Sequence, residues 1–154
     1  MKRNYMFRIM VICVLCFIIF TGCAPVNESV EVDKAPDAYT YVTNNMSISI
    51  PEEWAGMYEC LLDGERLAVF HKESYHSWGG GWICSFMKFT DNLYLEYPAY
   101  DVLEETEDAV YIITYPTDVQ FDPADQKSTE EYMNMFEEVD LLIESFEVIE
   151  KYIL

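Results

Sequence analysis

The stretch Ser128-Thr-Glu-Glu-Tyr-Met-Asn-Met-Phe-Glu-Glu-Val-Asp-Leu-Leu-Ile-Glu-Ser-Phe146 carries the strongest secondary-structure signal in the 154-residue chain. Ser128 and Glu131 have the spacing of a capping box, which satisfies free N–H groups where a helix begins. Apolar residues then recur at helical spacing, and a helix of this length gains its stability by packing one face. The pattern predicts one amphipathic helix whose apolar stripe contains Tyr132, Met135, Phe136, Val139, Leu142, Ile143 and Phe146.

Strand patterns precede this helix. Between Tyr39 and Ile50, apolar or aromatic residues alternate with polar ones on either side of Asn44-Asn45. Asparagine tolerates the left-handed backbone of a tight turn, so the segment predicts a hairpin that Pro51 ends.

The dipeptide Asp63-Gly64 is the strongest hairpin signal in the chain. It lies between two apolar segments, residues 57–62 and 65–71. A two-residue turn at Asp63-Gly64 predicts that Cys60 lies opposite Leu67.

The middle of the chain adds a loop, a strand and a second clear hairpin. Residues 72–81 end in three glycines, and without the lysine and the serine or threonine of a P-loop they are interpreted as a flexible loop. Residues 82–89 are apolar or aromatic on both faces, as a central strand is. Residues 101–106 and 109–115 predict a hairpin across Glu107-Asp108.

Several strands followed by a terminal helix indicate an α+β domain. We expect an antiparallel sheet of about six short strands with the C-terminal amphipathic helix packed on it. Residues 39–154 are enough for one such domain with a single core.

Two short motifs bracket this domain: Ser47-Ile-Ser-Ile-Pro-Glu-Glu-Trp54 near its start and Leu142-Ile-Glu-Ser-Phe-Glu-Val148 at its end. They resemble the opening strand with Pro-x-x-Trp and the closing Ile-x-x-Ser-Phe of PsbP/Mog1-like domains in bacterial lipoproteins and secreted proteins. The resemblance covers roughly residues 39 to 150 and implies a sheet flanked by helices. It also implies an accessory role, and it brings no catalytic residues to this chain.

The chain begins like an export signal. Three basic residues, Lys2, Arg3 and Arg8, precede a 12-residue uncharged apolar run from Ile9 to Phe20. About 20 apolar residues are needed to span a membrane, so the run is short for a permanent anchor.

Phe20-Thr-Gly-Cys23 closes the run and resembles the lipobox of bacterial lipoproteins. We therefore expect residues 1–22 to be a lipoprotein signal peptide and Cys23 to carry the lipid. An ordinary signal peptide or an uncleaved anchor are the alternatives. All three interpretations put the remaining chain outside the cytoplasmic membrane.

Residues 23–38 are polar, acidic and interrupted by prolines, which predicts a flexible tether. Without residues 1–22, the chain has six basic and 28 acidic residues, which gives a formal charge of −22. Such a charge disfavours nucleic acid and anionic lipid surfaces as partners. Contact with the membrane is therefore expected through the N-terminal lipid alone, since two acyl chains give stable attachment.

Cysteines offer one further expectation. With Cys23 lipidated, Cys60 and Cys84 remain as an even pair in a compartment that permits disulfides. They form a candidate disulfide. The alternative is two buried thiols, because unpaired cysteine is among the most buried residue types.

Chemistry-bearing residues form no recognised catalytic set. His71 and His76 with Glu73 match no zinc spacing, and Ser74 and Ser77 lack a nucleophile-elbow motif. The acidic loop that contains Asp118, Asp122 and Asp125 fails the EF-hand pattern, and is better explained as a solvated loop that favours a helix N-terminus. We assign no catalytic residue, no metal ligand and no cofactor.

Aromatic residues concentrate in the same region. Tyr75, His76, Trp78 and Trp82 lie beside the glycines and form a candidate binding platform for a protein or small-molecule ligand. The alternative is that these aromatic residues belong to the core. We expect a non-enzymatic accessory or binding domain. A metal-dependent or hydrolytic cell-envelope enzyme and a structural envelope component are the other two hypotheses.

Overall fold

The computed structural model describes residues 39–149. The predicted signal peptide, Cys23 and the tether up to residue 38 lie outside the described residues, as do residues 150–154. Eight strands and three α-helices follow one another in the order β1 Thr40–Val42, β2 Met46–Ser49, β3 Tyr58–Asp63, β4 Arg66–His71, α1 Lys72–Trp78, β5 Trp82–Phe89, β6 Tyr100–Glu105, β7 Val110–Thr114, α2 Gln126–Glu137, α3 Val139–Glu144 and β8 Glu147–Val148. Short 3-10 helices occupy Glu52–Trp54 and Asn92–Glu96.

The predicted α+β class is confirmed, but the prediction of a single sheet is wrong. Strands form a three-stranded sheet in the order β1-β2-β8 and a five-stranded sheet in the order β3-β4-β5-β7-β6, both antiparallel. Pro51 follows β2, and proline cannot continue a ladder of backbone hydrogen bonds. The chain then turns through Glu52–Trp54, buries Trp54, and begins the second sheet at Tyr58.

The small sheet joins the two ends of the described chain. The predicted β1–β2 hairpin is confirmed, with Thr40 opposite Ser49. On its other edge β2 pairs with β8, where Ser47 lies opposite Glu147. The hydroxyl of Ser145 accepts a 2.9 Å hydrogen bond from Ser49 N and donates one of 3.1 Å to Ser49 O. The two segments that carry the PsbP/Mog1-like resemblance are therefore in direct contact.

The β3–β4 hairpin is confirmed, but its predicted register is wrong by two residues. Cys60 lies opposite Val69, because the turn residues are Gly64 and Glu65 and Asp63 remains in the strand. Gly64 has φ +61°, and no non-glycine residue from 39 to 149 has a positive φ. A type I′ turn needs a positive φ at both of its central residues. A type II′ turn needs a positive φ only at the first, which is the position of Gly64 here.

The larger sheet is built around β5, which lies between β4 and β7 as predicted for a central strand. The predicted hairpin around Glu107-Asp108 is confirmed as β6 and β7, with Glu105 opposite Val110. Helices α2 and α3 contribute to the core that covers one face of this sheet. The buried core includes Met46, Ile48, Trp54, Leu67, Val69, Ile83, Phe86, Ile113, Met135 and Leu142.

The C-terminal helical stripe is confirmed, whereas the single helix is not. Glu138, with φ −94° and ψ 8°, separates α2 from α3. The N-cap is Asp125, whose carboxylate accepts from Ser128 N, and not Ser128 as predicted. The predicted stripe faces the core, with Tyr132, Met135, Val139 and Leu142 buried and Phe136, Ile143 and Phe146 half-buried.

The candidate disulfide between Cys60 and Cys84 is absent, and both thiols are free. Val69 of β4 lies between them, opposite Cys60 on one side and Cys84 on the other. Adjacent strands are about 4.8 Å apart, so the two α-carbons are separated by about 10 Å, beyond the limit of about 7 Å for a bridge. The alternative of two thiols describes the structure, and burial raises the pKa of Cys60 to about 12.

Candidate functional site

Helix α1 occupies most of the segment predicted to be a loop. His71 caps its start, where Nδ1 accepts a 3.4 Å hydrogen bond from Ser74 N. Gly79 ends the helix in the left-handed conformation, with φ +78° and its N–H bonded to Ser74 O. Histidine is not among the preferred N-cap residues, so the helix start gave no sequence signal. The loop prediction for residues 72–78 is wrong for this reason.

The glycines after α1 form a close-packed connection instead of the predicted flexible loop. A Cβ on Gly80 would lie 2.6 Å from Gln120 O and 2.8 Å from Cε3 of Trp78. Gly81 has φ +81°, and a Cβ there would lie 2.6 Å from His71 O. The indole ring of Trp78 therefore packs directly against a backbone that only glycine allows.

Two of the four predicted platform residues, Tyr75 and His76, lie in one aromatic group with Phe70. The ring of Tyr75 is 4.8 Å from that of Phe70 and 5.1 Å from that of His76, measured between centroids. Phe70 in turn lies opposite Trp82 across β4 and β5. Phe70 was not among the predicted platform residues, although strand alternation puts it on the sheet face opposite Val69. Among residues 39–149 no ring stacks on Trp78, which is 46 % exposed.

Trp82 is held on the outer face of the larger sheet. Its Nε1 donates a 2.8 Å hydrogen bond to Ser85 Oγ, to which Arg66 Nε also donates, at 3.0 Å. The guanidinium carbon of Arg66 lies 5.3 Å from the centre of the Trp82 ring, within cation–π range. Trp82 is thus engaged by its own chain, and Trp78 is the more accessible tryptophan.

The two histidines do not converge. Nε2 of His76 is 2.6 Å from Glu59 Oε2 in an exposed pair, whereas His71 is fully buried and faces Glu131. Within the described part of the chain, no group of three or more His, Cys, Asp or Glu side chains could hold a metal ion.

The acidic loop before α2 has local roles. Asp118 accepts a hydrogen bond from the side chain of Gln120, and Asp122 accepts one from Ala124 N. Asp125 caps α2. Each carboxylate thus stabilises the turn or the helix start, in line with the interpretation as a solvated loop that favours a helix N-terminus.

A polar cleft lies between α1 and the start of α2. It has a volume of about 510 Å³, within the range of ligand sites. One wall is the segment that contains Gly56 and Met57. The charged and polar groups of the cleft come from His71, Lys72, Glu73, His76, Asp125, Lys127, Ser128 and Glu131.

His71 anchors a buried chain of hydrogen bonds beside this cleft. Its Nδ1 is 2.9 Å from Ser74 Oγ, and Ser74 Oγ is 3.1 Å from Ser128 Oγ. The two serines are only 1 % and 3 % exposed, so neither is presented to a substrate as a nucleophile. Ser77 donates to Glu73 O at 2.7 Å. The serines and histidines therefore form structural contacts and not an assembled hydrolytic triad.

The other ring nitrogen of His71 has no hydrogen-bond partner among the described residues. Nε2 is buried, and Glu131 Oε2 lies 3.5 Å away, beyond the usual hydrogen-bond length of 2.7–3.2 Å. Burial lowers the pKa of His71 and Glu131 opposes this shift, so the ring is neutral near pH 7.

The described residues thus define a small α+β domain with an exposed tryptophan and a polar cleft. None of its helices is long and apolar enough to cross a membrane. Comparisons of the chain with protein-family models, with curated proteins and with solved structures find no match.

Proposed function

We propose that this chain is a bacterial lipoprotein, attached through lipid on Cys23 to the outer side of the cytoplasmic membrane, with a non-enzymatic domain that binds a partner protein. The support for export and attachment is the basic start, the short apolar run and the lipobox-like Phe20-Thr-Gly-Cys23. The PsbP/Mog1-like assignment belongs to the same proposal, and it rests on the two short motifs Ser47–Trp54 and Leu142–Val148.

The exposed ring of Trp78 is the single observation that carries the binding role. Tryptophan and tyrosine dominate the energetics of protein interfaces, and Trp78 lies one helical turn after Tyr75 on α1. The packing of its ring against Gly80 fixes the ring before any partner arrives. A side chain that is already ordered loses little conformational entropy on binding, which favours affinity.

Charge indicates what kind of surface the partner presents. Residues 39–149 contain 23 acidic side chains and four basic ones. A basic protein surface would be attracted to this domain, and association would slow as salt screens the charges. We therefore propose a partner with a basic surface surrounding an apolar contact for Trp78.

Photo-crosslinking in intact cells, followed by mass spectrometry, tests the binding role. The Trp78→Ala variant is expected to lose most of the crosslinked partner, because interface tryptophans are hot spots. Leu141→Ala is the matched control, since Leu141 is 45 % exposed on α3 and lies outside the proposed surface. Equal crosslinking by the two variants, with both still folded by circular dichroism, would refute the role of Trp78.

Attachment to the membrane is tested separately. Metabolic labelling with a clickable palmitate analogue is expected to label the wild-type protein, and Cys23→Ser is expected to remove the label. A Cys23→Ser variant labelled as strongly as the wild type would show that the lipid is not on Cys23, whatever the result with Trp78.

A further inference from the structure

The polar cleft between α1 and the start of α2 takes no part in the proposed protein contact. We propose that this cleft is a binding site for a neutral hydroxyl-bearing compound such as a sugar, with one ligand hydroxyl placed between Nε2 of His71 and Oε2 of Glu131.

The tautomer of His71 decides what its free nitrogen can bind. Nδ1 lies 3.4 Å from Ser74 N, which can only donate, and the neutral tautomer that accepts this contact carries its proton on Nε2. The Ser74 hydroxyl can then donate to Nδ1 while it accepts from Ser128. Nε2–H remains as a buried donor at the wall of the cleft without an acceptor among residues 39–149. A ligand oxygen would satisfy it, and buried polar groups are rarely left unpaired.

The position of Glu131 limits which functional group can supply the ligand oxygen. Its Oε2 accepts hydrogen bonds and lies 3.5 Å from Nε2 of His71. An oxygen at about 2.8 Å from both atoms would have to accept from His71 and donate to Glu131. A hydroxyl group does both, whereas a carboxylate or phosphate oxygen only accepts. Lys127 holds the other oxygen of Glu131 at 3.1 Å, which keeps Oε2 directed towards His71.

The charges around the cleft favour a neutral ligand. Lys72 and Lys127 line it together with the carboxylates of Glu73, Asp125 and Glu131. An anion would meet three carboxylates, and a cation would meet two ammonium groups and the N–H of His71. A neutral compound with several hydroxyls can use donors and acceptors of both kinds without an unbalanced charge.

The two histidines make the test specific. The full-length chain, labelled with 15N-histidine and held in a detergent without a sugar headgroup, gives imidazole signals from His71 and His76 alone. Glucose, N-acetylglucosamine and mannitol are the neutral probes, and glucuronate is the anionic comparison. The neutral probes, added up to about 100 mM so that a Kd of several millimolar is detected, are expected to shift Nε2 of His71. His76 also lines the cleft, so its signals do not serve as the control.

Two variants decide whether the shift reports this site. Glu131→Ala is expected to weaken the response of His71 at least about tenfold, because a hydrogen bond to a charged group is lost. Glu130→Ala, at the neighbouring exposed position, is expected to bind as the wild type does.

The proposal is overturned by any of three results. The first is that no neutral probe shifts His71, which would make His71 and Glu131 a structural pair only. The second is that the Glu131→Ala and Glu130→Ala variants respond alike. The third is that glucuronate binds as well as glucose. None of these results bears on crosslinking through Trp78.

Discussion

The indole N–H of Trp54 donates a 2.8 Å hydrogen bond to Oε2 of Glu138, the one residue that separates α2 from α3. Trp54 is 1 % exposed and lies in the connection between the two sheets. A buried indole needs an acceptor, and Glu138 supplies one from a position 84 residues further along the chain. The break in the C-terminal helix and the turn between the sheets are thus tied together.

Removal of the Glu138 carboxylate is expected to destabilise the domain. Glu138→Ala should lower the free energy of unfolding by about 1–3 kcal/mol, because the Trp54 N–H loses its acceptor. Glu137→Ala removes a neighbouring exposed carboxylate and should change it by less than about 0.5 kcal/mol. Urea unfolding followed by tryptophan fluorescence measures both. Equal losses would mean that the hydrogen bond contributes nothing specific.

Two glycines with similar backbone conformations are expected to respond differently to alanine. Gly64 (φ +61°) has open space around it, whereas a Cβ on Gly81 (φ +81°) would lie 2.6 Å from His71 O. Gly64→Ala should cost about 1–2 kcal/mol for the left-handed backbone. Gly81→Ala should cost about 3 kcal/mol or more, because backbone atoms must also move. The urea midpoints of the two variants give the comparison, and similar midpoints would contradict the close packing at Gly81.

Acid is expected to destabilise the domain partly through His71. Burial lowers its pKa in the folded state, despite the opposing effect of Glu131, below the value of about 6.5 for an unfolded chain. Below about pH 6.5 the unfolded chain therefore binds more protons at His71 than the folded chain does. The free energy of unfolding decreases as the pH is lowered, until the pKa of folded His71 is passed. His71→Asn keeps an acceptor for Ser74 N and removes the titration. Between about pH 7 and pH 5 its stability should fall less than that of the wild type. Parallel curves would show that His71 does not contribute.

Cys60 and Cys84 are expected to be unreactive thiols. Burial raises the pKa of Cys60 to about 12, and Cys84 is fully buried with a pKa well above its ordinary value. At pH 8 the Cys60 thiol is therefore protonated, whereas the thiolate is the reactive form. Iodoacetamide should label neither thiol in the folded protein. After unfolding it should label both, with no reductant added. Labelling that also needs a reductant would reveal a disulfide.

Patterns of local period predicted most of the fold. The stripe from Tyr132 to Phe146 and the hairpins around Asn44, Gly64 and Glu107 follow from alternation and turn residues that neighbouring positions determine. The hydrogen bond between Trp54 and Glu138, at the helix break, was not predicted, because no local pattern connects residues so far apart in the chain. The division into two sheets likewise depends on the distant pairing of β2 with β8.

The candidate site was predicted in part. Tyr75, His76 and Trp82 were predicted from the sequence, whereas Phe70, which packs against Tyr75 and lies opposite Trp82, was missed. The polar cleft was missed, because His71, Ser74 and Ser128 meet only after α1 packs against α2, with 54 positions between the two serines. His71 is also the N-cap of α1, and histidine is not a residue type that predicts a helix start.

The serine pair in the small sheet has a consequence for when the chain can fold. Ser49 and Ser145 are 96 positions apart, so β2 stays one strand short until the ribosome has added residues 145–148. Contacts this distant form late, because a long loop must close first. If the chain is exported as proposed, this delay would leave the small sheet open while the chain crosses the membrane.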